Sequence, residues 1–376
     1  MSAKTISCRA AVLWKEGTPL TLENITVDPP QTGEVRIRMV AAGLCASDGH
    51  FIWGLDTDIQ LELEGNPIVF GHEGAGIVES IGPEVTSVEV GDHVILMWLP
   101  QCNRCEWCSH PNTNLCLSSS FESTLYHGNN KQTRMKINGK PLLSFTGTST
   151  FSEYSVVKET QIAKITSKAD LKSVCIIGCA VGTGYASAVN LAKVHSGSKC
   201  AVWGLGAIGL SAVLGCKQAG AKQIIGVDIN DNKESIAREF GCTHFVNPST
   251  LGKSIEEYFK EIGGLDYAFD CIGNQQVLDS AYNSLNLWGS LVVIGLGARG
   301  NKVVASVAEL LNGRKVMGAY YGNQKPRKNI ENLVDKYISG DLPIDGLITH
   351  RIRLDDISEG FDKLKSGKTI RTIIEF

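Results

Sequence analysis

Four apolar residues, Cys200-Ala201-Val202-Trp203, run directly into Gly204-Leu205-Gly206-Ala207-Ile208-Gly209 and then into the apolar stretch Leu210 to Ala219. A buried strand that passes through a glycine-rich turn into a buried helix returns over the sheet to a parallel neighbour. That neighbour is predicted at Gln223-Ile224-Ile225-Gly226-Val227-Asp228. In such a unit the first glycine makes the tight turn, the second lets a pyrophosphate approach the backbone, and the third lets helix and strand pack closely. Gly204, Gly206 and Gly209 occupy those places. Asp228, 19 residues past Gly209, is placed to accept hydrogen bonds from an adenosine ribose and to repel a 2′-phosphate, which points to NAD rather than NADP. A competing reading makes Asp228 the cap of a helix that starts near Asn232.

Alternating strands and helices continue to about Tyr320, with strands predicted at Tyr267 to Cys271 and Ser290 to Gly295. Ile294 and the glycines of Gly295-Leu296-Gly297 close the later strand, where a nicotinamide would lie at the carboxyl edge of the sheet. The fold class is therefore α/β, with a Rossmann doubly wound parallel sheet over residues 181–320. Residues 1–180 form the other domain: 1 to about 100 read as short strands and tight turns, Thr146 to about Lys164 as strand-like alternation, and a helix is expected to open at Cys179 and run to Lys193. After residue 320 come two helical patterns, Arg327 to Ile338 and Ile357 to Leu364, and a strand from Arg371 to Phe376. Residues 321–376 are assigned back to the first domain, because the cofactor fold is already complete and the first sheet lacks a terminating strand. A chain of 376 residues exceeds what one core usually organises, so two domains are expected.

The stretch from Cys45 to Glu73 concentrates reactive side chains: a thiol at Cys45, a hydroxyl at Ser47, and imidazoles at His50 and His72. Glycines at 71, 74 and 76 are expected to turn the backbone sharply around His72. Cysteine sulfur and histidine nitrogen suit zinc, and catalytic zinc keeps three protein ligands with a fourth position open. Cys179, in Ile176-Ile177-Gly178-Cys179-Ala180, is the candidate third ligand. Each of these residues alone reads more simply as core, and it is their combination that favours a metal. Phe51 to Glu64 reads as a polar loop able to wall the site. A second cluster, Cys102, Cys105, Cys108 and Cys116, has the spacing C-x2-C-x2-C-x7-C. Four thiolates can close a tetrahedral shell completely, as in structural zinc, with iron–sulfur ligation as the competitor.

Net charge is −3, from 36 basic and 39 acidic residues, and no block of like charge stands out, so nucleic acid and acidic membranes are not expected as partners. No apolar run approaches the roughly 18 residues a membrane span requires. Twelve cysteines without a secretory signal read as metal ligands or reduced thiols, and a cytoplasmic location is expected.

On these motifs the chain resembles, over essentially its whole length, the zinc-dependent alcohol dehydrogenases of the medium-chain dehydrogenase/reductase superfamily. The resemblance implies a β-rich GroES-like catalytic domain beside the Rossmann domain, NAD, two zinc ions per chain, and a homodimer. It implies catalytic zinc on Cys45, His72 and Cys179 with Glu73 beside it, and structural zinc on Cys102, Cys105, Cys108 and Cys116. It also implies Ser47 on the alcohol oxygen, His50 at the outer end of a proton relay and Asp48 orienting His72. Thr183 is implied behind the nicotinamide, Arg371 on the pyrophosphate, and Trp98 and Phe145 along the substrate pocket. The reaction implied is hydride transfer between a primary alcohol or aldehyde and NAD.

Three features depart from the family pattern. Ala46 stands where relatives commonly carry a basic residue or histidine. Ser120 stands where the glutathione-dependent formaldehyde class has arginine, and the loop Trp53 to Asn66 is longer than usual. Ala46 and the long loop leave room for a non-redox zinc lyase or hydratase on the same NAD-binding scaffold.

Overall fold

The computed structural model describes residues 3–56, 63, 65–118 and 132–376. Ser120 and half of the Trp53 to Asn66 loop lie outside the described residues. Among those described, residues up to 55, from 63 to 179 and from 325 to 376 form one compact unit, and Asp56 with residues 180 to 324 forms the second.

The first unit holds a six-stranded and a seven-stranded sheet. Its central strand, Glu34–Leu44, alternates Val35, Ile37 and Met39 into a core shared with Val78, Val94, Leu96 and Ile162. One edge of that strand pairs antiparallel with Glu73–Ile81. The other edge takes Tyr154–Lys158 along its first half and Arg371–Glu375 along its second. The C-terminal strand is therefore interior, not terminal as expected: Ile348–Ile352, which the sequence pattern did not reveal, lies outside it and closes the sheet. Its alternate residues are half exposed, so it lacks the apolar run that marks a buried strand.

Register then sets the site. Gly43 pairs with Glu73 and Leu44 with Thr372, so Cys45, His72 and Arg371 leave three adjacent strands at the same end. A Cβ on Gly43 would lie 2.2 Å from the Glu73 carboxylate, so this close approach requires glycine. Only Gly71, with φ +99, makes the predicted turn beside His72. Gly74 and Gly76 lie inside the strand, and Gly76 serves close packing: a Cβ there would meet the Arg38 carbonyl oxygen at 2.4 Å.

The second unit is a six-stranded sheet in which every neighbouring pair is parallel. Numbered along the chain, its strands Lys199–Trp203, Gln223–Val227, His244–Val246, Leu265–Asp270, Leu285–Val293 and Lys315–Gly318 lie in the order 3-2-1-4-5-6. That is the doubly wound order of dinucleotide-binding domains. His244–Val246 and Lys315–Gly318 were not predicted, the first being only three residues long and the second short and largely exposed. The helix expected from Cys179 to Lys193 is instead Ala180–Ala186 followed by a π-helical turn Ser187–Leu191. There the Ser187 hydroxyl donates to the Thr183 carbonyl at 2.7 Å, and the Ala192 N–H reaches back five residues to Ser187. Among the described residues no single helix is long and apolar enough to cross a membrane.

Candidate active site

Cys45 is the N-cap of the short helix Ala46–Ile52, which carries Ser47, Asp48 and His50 on its first turns. Phe51 and Ile52, expected in the following loop, belong to this helix and are buried. Cys179 caps the 3-10 turn Cys175–Gly178 and is buried with Cys45, His72 and Glu73. The four bring one ligand atom each to within 4.8 Å of one another.

His72 is oriented by two contacts. Its Nδ1 stands 2.9 Å from Oδ1 of Asp48, and its Nε2 stands 3.3 Å from Sγ of Cys179. The same Asp48 oxygen accepts the Gly71 N–H at 3.1 Å, so carboxylate, turn and imidazole are fixed together. With Nδ1–H given to Asp48, Nε2 is the nitrogen turned toward the sulfurs, the one a metal would take by displacing its proton. Burial alone would push His72 below its ordinary pKa, but the Asp48 and Cys45 charges overcome it and hold the imidazole well above that value. The Cys179 thiol donates toward Cys45, and this bond, with the nearby charges of Arg371 and His72, holds Cys45 well below the usual thiol range. A thiolate, a thiol and an oriented imidazole thus share one buried corner. Tetrahedral zinc bonds of about 2.0 to 2.3 Å put donor atoms roughly 3.3 to 3.8 Å apart, and the His72 to Cys179 separation of 3.3 Å fits that shell.

Burial raises the Glu73 carboxyl to about 7, against the pull of Arg371, whose guanidinium lies 3.5 Å away. Arg371 is 4% exposed and also donates to the Leu44 carbonyl, so it is no solvated surface side chain. Ser47 and His50 are half-buried and Ala46 is exposed. Burial lowers the His50 pKa below its ordinary value. Trp98 is half-buried, whereas Phe145 is 3% exposed and packs its ring against those of Phe51, Phe70 and His72.

The second cysteine cluster is also assembled. Cys102 and Cys108 sulfurs lie 3.8 Å apart, and those of Cys105 and Cys116 lie 3.9 Å apart. Those spacings match a tetrahedral shell of four sulfurs about 2.3 Å from a common centre and are far too long for disulfides. Backbone N–H groups of Leu117 and Cys108 point at Cys105 and pull its thiol down to about 6, as befits a ligand bound as thiolate.

In the second unit Gly204 takes φ +85, and a Cβ on Gly209 would lie 1.9 Å from the Gly204 carbonyl oxygen. Space around Gly206 is open, leaving its backbone approachable. Asp228 accepts the Leu205 N–H at 2.8 Å and pairs with Lys233 at 2.9 Å. It caps no helix; Asn230 does so, accepting from the Asn232 N–H. Lys233 was not recognised in the sequence, although it lies five residues past the acid. Thr183 is buried on the helix after Cys179, and the N–H groups of Ile294 and Gly295 donate to the Asp270 carbonyl at 2.9 Å.

Residues 31–167 match the model of the alcohol dehydrogenase GroES-like domain, and residues 207–338 match that of the zinc-binding dehydrogenases. The chain is 43% identical to a geraniol dehydrogenase of Carpoglyphus lactis over 376 residues, spanning 100% of this chain and 98% of the relative. The chain belongs to the zinc-dependent alcohol dehydrogenases of the medium-chain dehydrogenase/reductase superfamily. It is also 43% identical to the class-3 alcohol dehydrogenase of Drosophila melanogaster, over 99% of this chain and 98% of the relative. The crystal structure of benzyl alcohol dehydrogenase from Acinetobacter calcoaceticus superposes with a TM-score of 0.88 at 30% identity, over 99% of both chains. As a zinc-dependent alcohol dehydrogenase, the protein is an oxidoreductase of alcohols and aldehydes, and none of these relatives is named for a lyase or hydratase reaction.

Proposed function

We propose that the protein is an NAD-dependent dehydrogenase of apolar primary alcohols and their aldehydes, with two zinc ions per chain. The observation that carries this reading is the helix Ala46–Ile52, which sets Ser47, Asp48 and His50 directly beyond Cys45. Cys45, His72 and Cys179 would hold the catalytic zinc, with Glu73 beside it, and the four cysteines from Cys102 to Cys116 the structural one. When bound, zinc supplies the Lewis acid that makes the alcohol proton acidic, and the nicotinamide accepts the hydride. Ser47 takes the alcohol proton and passes it outward to His50, an imidazole of the same helix that can release it to solvent. Asp48 holds His72 in place through the cycle. Thr183, Ile294 and the glycines at 204, 206 and 209 line the cofactor's unit, and Asp228 takes its adenosine ribose.

Arg371 joins as a buried counter-charge to Glu73, which leaves less of its guanidinium for the pyrophosphate than the family pattern implies. Trp98 narrows the pocket against a second substituent on the carbinol carbon. The geraniol and benzyl alcohol relatives support an apolar primary substrate. Homodimer formation is supported by the edge strand Lys315–Gly318, flanked by exposed Trp288, Val304, Val307, Leu310 and Leu311. Twelve free cysteines support a cytoplasmic location.

The test is to mix the purified protein with NAD, then NADP, and a panel of primary and secondary alcohols, following the absorbance of reduced nicotinamide. Zinc content is measured on the same sample. Turnover of apolar primary alcohols with NAD and two zincs per chain is expected; an active protein with one zinc would refute the two-site assignment.

A further inference from the structure

Carbonyls of alternate residues on the turn that carries His72 are each taken by a hydroxyl from one distant segment. The Ser149 hydroxyl donates to the Val69 carbonyl at 2.8 Å. That of Thr148 lies 3.0 Å from the Gly71 carbonyl, the shorter of its two carbonyl contacts, the other being Phe145 at 3.2 Å, and that of Thr150 donates to Glu73 at 3.1 Å. Backbone donors interleave with them: the Phe145 N–H reaches Val69, the Phe151 N–H reaches Phe70, and the Thr150 N–H reaches Gly71. The Phe145 ring lies edge-on to His72 at 5.8 Å between centroids. Thr148, Ser149 and Thr150 are each fully buried.

The segment holds this shape against its backbone preferences. Thr146 and Ser149 sit at φ 51 and 45, in the left-handed region that residues with a Cβ rarely enter. Such conformations persist where the surroundings over-determine them, and they concentrate at functional sites. Here what they achieve is specific: they aim three consecutive hydroxyls at the turn, all on one strip of backbone. A segment needed only to fill core would place apolar side chains there, as Phe145 and Phe151 do at its ends.

We propose that the buried segment Ser144 to Phe151 is the positioning device of the metal centre, with Thr148 and Thr150 as positioning residues that lock the backbone on either side of His72. Asp48 fixes the rotation of the imidazole; the hydroxyls fix where its backbone stands. The inference rests on the reading of Cys45, His72 and Cys179 as metal ligands.

Thr148→Val and Thr150→Val keep side-chain shape and delete one hydroxyl each. Zinc release from the intact protein to a chromogenic chelator is expected to quicken about tenfold in each, at the lower end of what loss of a ligand's supporting partner does. With cobalt at the centre, the visible absorption band should shift. Thr148→Ser and Thr150→Ser retain the hydroxyl and should release zinc within about twofold of the parent rate. Thr133→Val removes a buried hydroxyl bonded to the Leu142 carbonyl and not to the backbone around His72, and reports the effect of a lost buried hydroxyl alone. The proposal is overturned if the two Val variants release zinc no faster than Thr133→Val with an unshifted cobalt band, or if the Ser variants release it as fast as Val variants are expected to. Metal content unchanged in Cys179→Ala would instead remove the metal reading itself, leaving the two failures distinguishable.

Discussion

Oδ1 of Asp48 lies 2.9 Å from Nδ1 of His72, and the second oxygen of that wholly buried carboxylate has no hydrogen-bond partner among the described residues. A buried carboxylate with one side unsatisfied is costly unless its charge is used, and here it fixes the imidazole with Nε2 turned to the sulfurs. Burial raises the Asp48 pKa and the His72 charge opposes that rise, so the pair works as a unit. Asp48→Asn can turn its amide toward Nδ1 and stabilise the opposite tautomer. Zinc affinity measured by chelator competition is expected to fall about 10- to 100-fold; an unchanged affinity would show that the ring is held by packing on Phe145 alone.

The two metal sites should respond differently to loss of a ligand. Cys179→Ala is expected to abolish turnover and to remove one zinc while thermal unfolding stays close to the parent's. Cys105→Ala also removes one zinc, but it opens a four-sulfur shell that ties residues 102 to 116 together, so the melting temperature and soluble yield should fall. Equal melting temperatures for the two variants would contradict this division.

Asp228 holds both the Leu205 N–H and Lys233. Asp228→Gly removes the ribose acceptor and the repulsive charge and frees an ammonium for a 2′-phosphate. Since a hydrogen bond to a charged group contributes about 1.5 to 3 kcal/mol, the NADP-to-NAD affinity ratio should rise tenfold or more. Titrating the two cofactors against protein fluorescence reads this directly, and an unmoved ratio would assign the acid to loop structure only.

Burial depresses the His50 pKa below 6.5, and the Cys45 charge opposes it weakly. The folded protein therefore binds this proton less readily than the unfolded chain. Its contribution to stability is complete above about pH 6.5 and is lost as pH falls from there through the lower folded value. His50→Gln should flatten the pH dependence of unfolding in that window and displace the acid limb of alcohol oxidation. Identical profiles would place His50 outside the proton path.

Trp98 is the test of the substrate pocket. Trp98→Ala is expected to raise secondary relative to primary alcohol turnover, with zinc content unchanged. If the ratio stays put, the indole is core, as Phe145 largely is.

Local chemistry was written plainly in the chain. The apolar run into Gly204, Gly206 and Gly209, the acid at 228 and the cysteines from 102 to 116 lie close together in sequence, so spacing alone exposes the turn, the parallel neighbour and the four-sulfur cluster. Tertiary structure decided the rest. Cys45, His72 and Cys179 become neighbours only because Gly43 registers on Glu73 and a 3-10 turn packs beside that sheet. Arg371 meets Glu73 because its strand enters the sheet next to Leu44, not at the rim where pattern placed it. Thr148 and Thr150 reach the His72 turn only through backbone angles that residue type disfavours. Short-range propensity reads contacts a few residues apart; register, strain and burial are set by partners tens to hundreds of residues away, which a single sequence does not display.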